Sequence, residues 1–177
     1  FSIERDLEVF QAIRPFKHLG IFLPNGMQST LQSYMNNFAD GIDVQFIPIS
    51  DEPTADLNEL NENVEAIYLL PNLYSSEADF QILIDGINAR KLPSFRLIGR
   101  NDVERGVLAS ISPSDYVNVY ARRIAINVMK ILEGQKAEDL PIQITGVEDD
   151  FVINVATMEQ LEVYPPFEVL GKATLID

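Results

Sequence analysis

The chain has 177 residues, of which 46% are apolar, and it carries a formal net charge of −14 at pH 7. This length and apolar content predict one domain, or slightly more, with a sizeable core. The negative charge disfavours nucleic acid and anionic membranes as partners, because both would repel it. The absence of cysteine excludes a disulfide framework, thiolate catalysis and a zinc finger. The chain begins at Phe1 without an initiator methionine, so we expect a processed or trimmed piece.

Helical and extended patterns alternate along the chain. Apolar residues three and four positions apart predict helices at residues 2–14, 27–38, 56–63, from Ser76 through Ile87, at 114–132 and at 158–161. Short apolar runs predict strands at residues 18–23, 44–49, 66–70, 94–98, 107–111, 141–144 and 151–156. The tail, with Pro165-Pro166, is expected to be irregular. This alternation predicts an α/β protein with a largely parallel sheet and right-handed crossovers.

Two elements carry signals about orientation. The second helix is expected to face inward through Leu31, Tyr34, Met35 and Phe38. Pro48 lies near the end of the second strand and disfavours a central position in the sheet, because proline cannot donate a hydrogen bond to a neighbouring strand.

The stretch 107–134 is typical of a strand, a capped turn, one helix and a stop. Ser112 is the predicted N-cap, Pro113 the first helical residue, and Asp115 is able to reach back to a free amide. Gly134 supplies a left-handed helix ending. The apolar stripe of this helix comprises Tyr116, Val119, Tyr120, Ile124, Val128 and Ile131, widened by Val117, Ala121, Ala125 and Leu132. A stripe wider than about 100° predicts a helix that is covered on much of its circumference.

Ligands of a parallel sheet bind beyond the carboxyl ends of its strands, here in the loops 24–30, 50–54, 71–76 and 99–105. Arg100, followed by Asn101, is suited to pair with a ligand carboxylate, or it belongs to a surface loop balanced by Asp102 and Glu104. Tyr74 either stacks on a ligand or covers the core.

Other chemistry-bearing residues point less clearly to a site. His18 is the single histidine and lies at a strand start, so we interpret it as a boundary residue rather than a triad member. The pairs Asp51-Glu52 and Asp149-Asp150 would need convergence from separate loops to bind metal, and polar turns are the default interpretation. Because no catalytic constellation or phosphate-binding motif is visible, we predict that the chain is not an enzyme and uses no cofactor.

The sequence resembles the bacterial ABC-transporter substrate-binding proteins. Within them it is most similar to a lipoprotein-like group whose better-known members bind aromatic amino acids. The segments that carry the resemblance are 106–110, the capped helix, 131–134, 139–142, 151–155, 160–161 and 165–170, with weaker similarity at 6–9 and 18–22.

This resemblance implies a periplasmic-binding-protein-like fold of the first type, in which two doubly wound α/β lobes hold a ligand in the cleft between them. On that template, residues 3–110 form the second lobe, 111–150 are a return segment that packs on the first lobe, and 151–177 supply the closing strand and tail. The first lobe itself is expected to be missing from this chain.

The expected ligand-binding residues are Asn25, Ser29, Thr30, Asn72, Tyr74, Arg100 and Asn101. Family members usually carry an Asp-Asn pair after the third strand, whereas this chain has Pro71-Asn72-Leu73-Tyr74, so amino-acid specificity is not carried over. Ser29 and Thr30 at a helix start are suited to a carboxylate, because free amides and the helix dipole favour an anion.

The leading hypothesis is a non-enzymatic solute-binding module of a cell-envelope ABC-transport system. Its expected partners are a small molecule, such as an amino acid, and the transporter's membrane subunits, with a homodimer through helix 114–132 as a further possibility. Its expected location is the periplasm or cell envelope. The alternative is a ligand-less structural or interaction domain fused to a larger envelope protein, such as an outer-membrane efflux component or a sensor.

Overall fold

The computed structural model describes residues 3–36, 41–74, 76–113, 116–140 and 149–177. The helices are α1 (Ile3–Ile13), α2 (Gln28–Met35), α3 (Pro53–Asn58), α4 (Glu77–Ala89), α5 (Arg100–Val103), α6 (Tyr116–Leu132), α7 (Val155–Leu161) and α8 (Phe167–Leu170). The strands are β1 (His18–Leu23), β2 (Asp43–Pro48), β3 (Ala66–Leu69), β4 (Ser94–Leu97), β5 (Ala109–Pro113), β6 (Asp149–Asn154) and β7 (Thr174–Ile176). A 3-10 turn covers Ala137–Asp139.

The seven strands form one sheet in the order β2-β1-β3-β4-β5-β6-β7. β1 pairs in parallel with both β2 and β3, and β3, β4 and β5 continue the parallel array. Helices flank the sheet, so the predicted α/β class is confirmed. Pro48 lies opposite Leu23 on β2, which is an edge strand of the sheet. This position agrees with the expectation that proline avoids the centre of a sheet.

Several predicted elements are present with small shifts. Ser76 caps α4 by accepting a hydrogen bond from the Asp79 amide at 3.4 Å, and the predicted stripe through Ile87 is buried. Gly134 has a φ of +98° and follows the end of α6. Its left-handed backbone agrees with the predicted helix ending.

Other predictions about the helices were wrong. In α2, Leu31 and Met35 are buried but Tyr34 is 44% exposed, because a helix of eight residues turns only a narrow stripe inward. α3 covers Pro53–Asn58 instead of residues 56–63, because Pro53 begins the helix at a position where its missing N–H is not needed.

Ser112 is not a helix cap. β5 extends through Pro113, and the Ser112 hydroxyl accepts a hydrogen bond from the Gly99 amide at 2.9 Å. The Ser112 hydroxyl therefore binds the backbone amide of Gly99, between β4 and α5, and does not bind an amide at the start of α6 among the described residues. Asp115, Phe38 and the predicted strand 141–144 lie outside the described residues.

The tail is also more ordered than predicted. It contains α8 and β7, and β7 pairs in parallel with β6, with Thr174 opposite Val152. A strand of three residues is too short to show an alternating apolar pattern, so the sequence carried no periodic signal for it.

The described residues group into two compact units, residues 1–112 with 151–177 and residues 113–150. The core of the first unit includes Phe10, Phe22, Tyr68 and Phe95, each fully buried. The Tyr68 hydroxyl donates to buried Asp6 of α1 at 2.6 Å, and burial together with this carboxylate raises the pKa of Tyr68. This hydrogen bond fixes α1 to the centre of the sheet.

The second unit contains α6, whose apolar side chains are strongly exposed. The exposed members of the predicted stripe are Tyr120, Ile124, Val128, Ile131 and Leu132, and Ile126 and Met129 outside it are exposed as well. This exposure is the opposite of the cover that the wide stripe predicts for the helix. The assignment of segments 3–110, 111–150 and 151–177 to lobes stays a prediction.

Candidate functional site

A cavity of about 160 Å³ lies at the carboxyl ends of β1, β2 and β3. The chain leaves β1 toward β2 on one side, whereas β3 lies on the other side. Such a switch point leaves a crevice between the loops that follow neighbouring strands. The cavity is lined by Pro24, Asn25, Ile49, Ser50, Asp51, Leu73, Tyr74 and Asp79.

Beneath this cavity, the carboxylate of Asp56 organises the loops around it. Asp56 is only 1% exposed and lies on α3. The Ser50 amide donates to both of its oxygens at 3.0 Å, the Ser50 hydroxyl donates at 2.6 Å, and the Tyr74 hydroxyl also donates to it. A buried charge is stable only when such donors satisfy it, so Asp56 binds the loops after β2 and β3 together.

Tyr74 is half-buried between this cavity and a neighbouring one. Burial, its hydrogen bond to Asp56, and the charges of Asp56 and Asp79 together raise the pKa of the Tyr74 hydroxyl. The phenol therefore stays protonated at neutral pH, with its hydrogen directed at Asp56.

The neighbouring cavity, also about 160 Å³, lies between the loops that follow β3 and β4. Arg96 of β4, which is 7% exposed, lines this cavity. The Arg96 Nε donates to Asp102 Oδ2 at 2.8 Å, another guanidinium N–H donates to the Leu70 carbonyl, and the guanidinium lies 4.8 Å from the Phe80 ring centroid. Burial lowers the pKa of Arg96, while Asp102 opposes that shift.

The connection from β4 to α5 is shaped by this arginine. A Cβ at Gly99 would lie 2.1 Å from Arg96 Cγ, so a residue without a side chain is required there. Ile98, the preceding residue, has a φ of +55°, which is strained for a β-branched side chain. The Gly99 amide is shared by the hydroxyls of Ser110 and Ser112, both at 2.9 Å, and these bonds hold the strained turn.

Three of the seven expected ligand-binding residues line the two cavities. Asn25 and Tyr74 line the first, and Asn72 and Tyr74 line the second. The side-chain amide of Asn25 donates to the Ile49 carbonyl at 2.8 Å. This hydrogen bond joins the loops after β1 and β2. Asn72 is exposed and has a φ of +55°, a conformation that asparagine tolerates.

The other four expected residues lie at the same edge of the sheet but do not line either cavity. Ser29 and Thr30 are exposed in the first turn of α2. Arg100 and Asn101 begin α5, where the Arg100 Nε lies 3.9 Å from Glu104 Oε1. Of the two acids expected to balance Arg100 in a surface loop, Glu104 lies beside it and Asp102 binds Arg96.

Sequence reasoning missed Asp56 and Arg96. Asp56 lies three residues after Pro53 and beside Leu57, on the face of α3 that is buried. Arg96 interrupts a short apolar strand, which is an unusual place for a charge. A buried position for a charged residue was the available signal in both cases.

The remaining chemistry-bearing residues form no further site within the described parts of the chain. His18 Nδ1 lies 3.2 Å from Asp43 Oδ2 at the start of β1. The amino-terminal ends of the strands are opposite the ends that carry the cavities. The described ranges hold no group of three His or acidic residues able to bind a metal ion. Among the same residues, none of the helices is long and apolar enough to span a membrane.

Residues 2–176 match the family of ABC transporter substrate binding proteins. Because the match covers nearly the whole sequence, the chain belongs to this family, which confirms the resemblance read from its motifs. No curated protein sequence matches the chain.

Three solved structures are similar to this fold. A conserved domain protein from Vibrio cholerae is 27% identical with a TM-score of 0.81, and the match covers 99% of this chain and 60% of that one. The ABC domain from Streptococcus pneumonia, in complex with L-Trp, is 22% identical with a TM-score of 0.76, covering 98% and 61%.

A ligand-free, open substrate-binding protein with adhesive properties from Clostridium difficile is 20% identical, with a TM-score of 0.69 and coverage of 100% and 60%. These likenesses confirm the periplasmic-binding-protein-like α/β fold. The chain spans about 60% of the length of these three structures.

Proposed function

We propose that this chain is the second lobe of a non-enzymatic solute-binding protein of a cell-envelope ABC-transport system, exported to the periplasm or envelope. A small molecule binds between this lobe and a first lobe, and the closed complex delivers it to the transporter's membrane subunits. The observation that carries the proposal is the cavity at the β1–β2–β3 switch point in a member of a substrate-binding family.

The size and position of the cavity support a shared site. About 160 Å³ is less than the roughly 300–1,000 Å³ of a complete small-molecule pocket, as expected for one wall of a cleft. Asn25 and Tyr74 contact the ligand in this wall, and Asn72 extends it toward the second cavity. Ser29, Thr30, Arg100 and Asn101 surround the same edge and contact the solute when the cleft closes.

The exposed stripe of α6 supports the two-lobed arrangement. Ile124 is 62% exposed and Leu132 81%, and exposed apolar patches of this kind usually mark interfaces. In the proposed protein the first lobe covers this stripe. A second copy of the chain is the competing occupant, and a dimer of the full-length protein that is lost on substitution of Ile124 would favour it.

Amino acids are the first solutes to test, because the similar domain from Streptococcus pneumonia was crystallised with L-Trp. The experiment is isothermal titration of the full-length protein with the L-amino acids and a broad panel of amines, carboxylates and sugars. We expect saturable binding of at least one solute, which Tyr74→Ala weakens at least tenfold because the cavity loses its aromatic wall.

Binding that is unaffected by Tyr74→Ala would place the ligand elsewhere. Silence across the panel would contradict solute binding and would favour the alternative, a ligand-less domain of a larger envelope protein.

A further inference from the structure

Asn25-Gly26 is the one place in the sequence where an asparagine directly precedes a glycine. Both residues are exposed and lie in the turn between β1 and α2. A hydrogen bond of 3.3 Å from the Met27 amide to the Pro24 carbonyl closes this turn. An asparagine side chain is able to react with the backbone nitrogen of a following glycine, because glycine has no side chain that shields that nitrogen.

The backbone nitrogen of Gly26 is open to this reaction. Within the described part of the chain, its amide donates no hydrogen bond. A Cβ built at Gly26 would meet no atom within 4 Å beyond its chain neighbours. Its φ of +85° is a conformation that glycine adopts freely and that other residues rarely adopt. Solvent base therefore reaches the amide hydrogen, and the nitrogen is free to approach the Asn25 side chain.

The Asn25 side chain is held by one contact. Its Nδ2 donates to the Ile49 carbonyl at 2.8 Å, and the residue lines the β1–β2–β3 cavity. A single hydrogen bond at an exposed residue has a small net free energy, and bonds at the surface open locally while the fold stays intact. This contact therefore slows a reaction of the side-chain amide but does not prevent it.

We propose that Asn25-Gly26 is a deamidation site, at which the folded protein converts an uncharged residue of its cavity wall into aspartate or isoaspartate. Hydroxide removes the Gly26 amide proton, and the nitrogen attacks the carbonyl carbon of the Asn25 side chain. The new C–N bond closes a succinimide ring, the bond from that carbon to Nδ2 breaks, and ammonia leaves after taking a proton from water. Water then adds across either ring C–N bond, with no change of oxidation state.

The product changes the contact that joins two loops of the cavity. Its carboxylate has no hydrogen to donate to the Ile49 carbonyl, so two acceptors face each other where a hydrogen bond was. The new charge adds to those of Asp51 and Asp79, which line the same cavity, and like charges repel. Isoaspartate also adds a methylene to the backbone of the turn. We therefore expect the loops after β1 and β2 to loosen.

Two other places in the chain are internal controls. Asn72 is exposed at the same end of the sheet but precedes Leu73, whose side chain hinders the approach of the nitrogen. Asp85-Gly86 contains the glycine, but it lies within α4, and a Cβ at Gly86 would lie 2.3 Å from a neighbouring side chain. Helical hydrogen bonds fix the nitrogen there. Asn72 should keep its amide, and Asp85 should not isomerise, while Asn25 reacts.

The test is peptide mapping by mass spectrometry of the full-length protein after ageing at mildly acidic and at mildly alkaline pH. An isoaspartyl-specific methyltransferase is the probe for isoaspartate. We expect the Asn25 peptide to exchange its amide for an acid, faster at the higher pH because the attacking nitrogen must be deprotonated. An Asn25 peptide that stays intact, or that reacts no faster than the Asn72 peptide, would overturn the inference.

The same ageing in urea measures how far the fold protects the site. One net hydrogen bond corresponds to about tenfold in an equilibrium constant, so the folded protein should react no more than about tenfold more slowly than the unfolded chain. A much larger protection would show that the turn holds Asn25 away from Gly26 and would contradict a site that is active in the folded protein.

Two variants separate the reaction from its consequence. Asn25→Gln keeps an amide but would need a larger ring, which closes more slowly, so it should abolish the modification. Asn25→Asp copies one product, and in hydrogen–deuterium exchange it should exchange faster than fresh wild type in peptides covering residues 24–30 and 49–54, as should aged wild type. Unchanged exchange in both would contradict the loosening. These readouts need no solute, so their failure would leave the proposed function intact.

Discussion

The helices α4 and α6 carry apolar stripes of the same kind, yet the two stripes differ in exposure. In α4, Leu83, Ile84 and Ile87 are fully buried, whereas in α6 Ile124 is 62% exposed and Leu132 81%. Periodicity therefore predicts which face of a helix needs cover, but it does not reveal what provides that cover. For α4 the cover lies within the chain, and for α6 we propose that it comes from a first lobe.

The largest effect is expected on the covered helix. Leu83→Ala should lower the free energy of unfolding by about 3 kcal/mol, because it removes buried methyl groups and leaves a cavity. The neighbouring residue Ile82 is 47% exposed, and Ile82→Ala should lower it by less than about 1 kcal/mol. Urea unfolding of both variants measures the difference, and equal losses would mean that α4 is not oriented as described.

A somewhat smaller loss of stability is expected at Arg96, where β4 packs against α4 and α5. Asp102→Asn removes the charge partner of Arg96, whose guanidinium lies over Phe80. We expect a loss of about 2 kcal/mol, below the 3–5 kcal/mol of fully buried pairs, because the Asp102 side chain is 19% exposed. Glu77→Gln breaks the exposed pair with Arg105 and should change unfolding by less than about 1 kcal/mol, and a larger loss from Glu77→Gln would reverse this ranking.

For α6, the effect of a substitution should depend on whether a first lobe is present. Ile124→Ala should change the stability of the 177-residue chain by less than about 0.5 kcal/mol, because the side chain is exposed. In the full-length protein the same substitution should lower stability by about 1.5 kcal/mol if the first lobe covers it. Differential scanning calorimetry of both forms provides the measurement, and a neutral result in both would remove α6 from the lobe interface.

The smallest expected effect is a pH dependence of the free energy of unfolding that comes from Glu65, at the amino-terminal ends of the strands. The Lys17 amide donates to the Glu65 carboxylate at 2.6 Å and the His18 amide at 3.1 Å, and these bonds lower the pKa of Glu65. A lowered folded-state pKa gives stability that is present above the unfolded value and lost as pH falls through the folded value. Glu65→Gln should therefore be less stable than the wild type at pH 7, and the difference should shrink as the pH falls and Glu65 becomes protonated. A difference that stayed constant as the pH is lowered would contradict this origin.

The sequence predicted elements whose signals are local. The strand 18–23 and the capped helix after Ser76 agree with β1 and α4, because an apolar run and a capping serine act within a few residues. Ser112 failed as a cap for a non-local reason, since its actual partner is the Gly99 amide, 13 residues away and brought near by β4 and β5.

The candidate site depended on the same kind of distant contact. Ser50, Asp56 and Tyr74 follow two strands that are separated by β1 in the sheet, so their meeting depends on strand order and on side-chain direction. The sequence indicated the loops and Tyr74, but not that a buried carboxylate would join them. Arg96 was missed for a similar reason, because its partners Leu70, Phe80 and Asp102 lie after β3, on α4 and on α5.

Hydrogen–deuterium exchange of the full-length protein, with and without a solute that binds, locates the ligand on the sheet. We expect the solute to slow exchange in peptides covering residues 24–30, 49–56 and 72–80, which surround the β1–β2–β3 cavity. A solute that binds tightly while these peptides exchange unchanged would contradict the assignment of the ligand to this edge of the sheet.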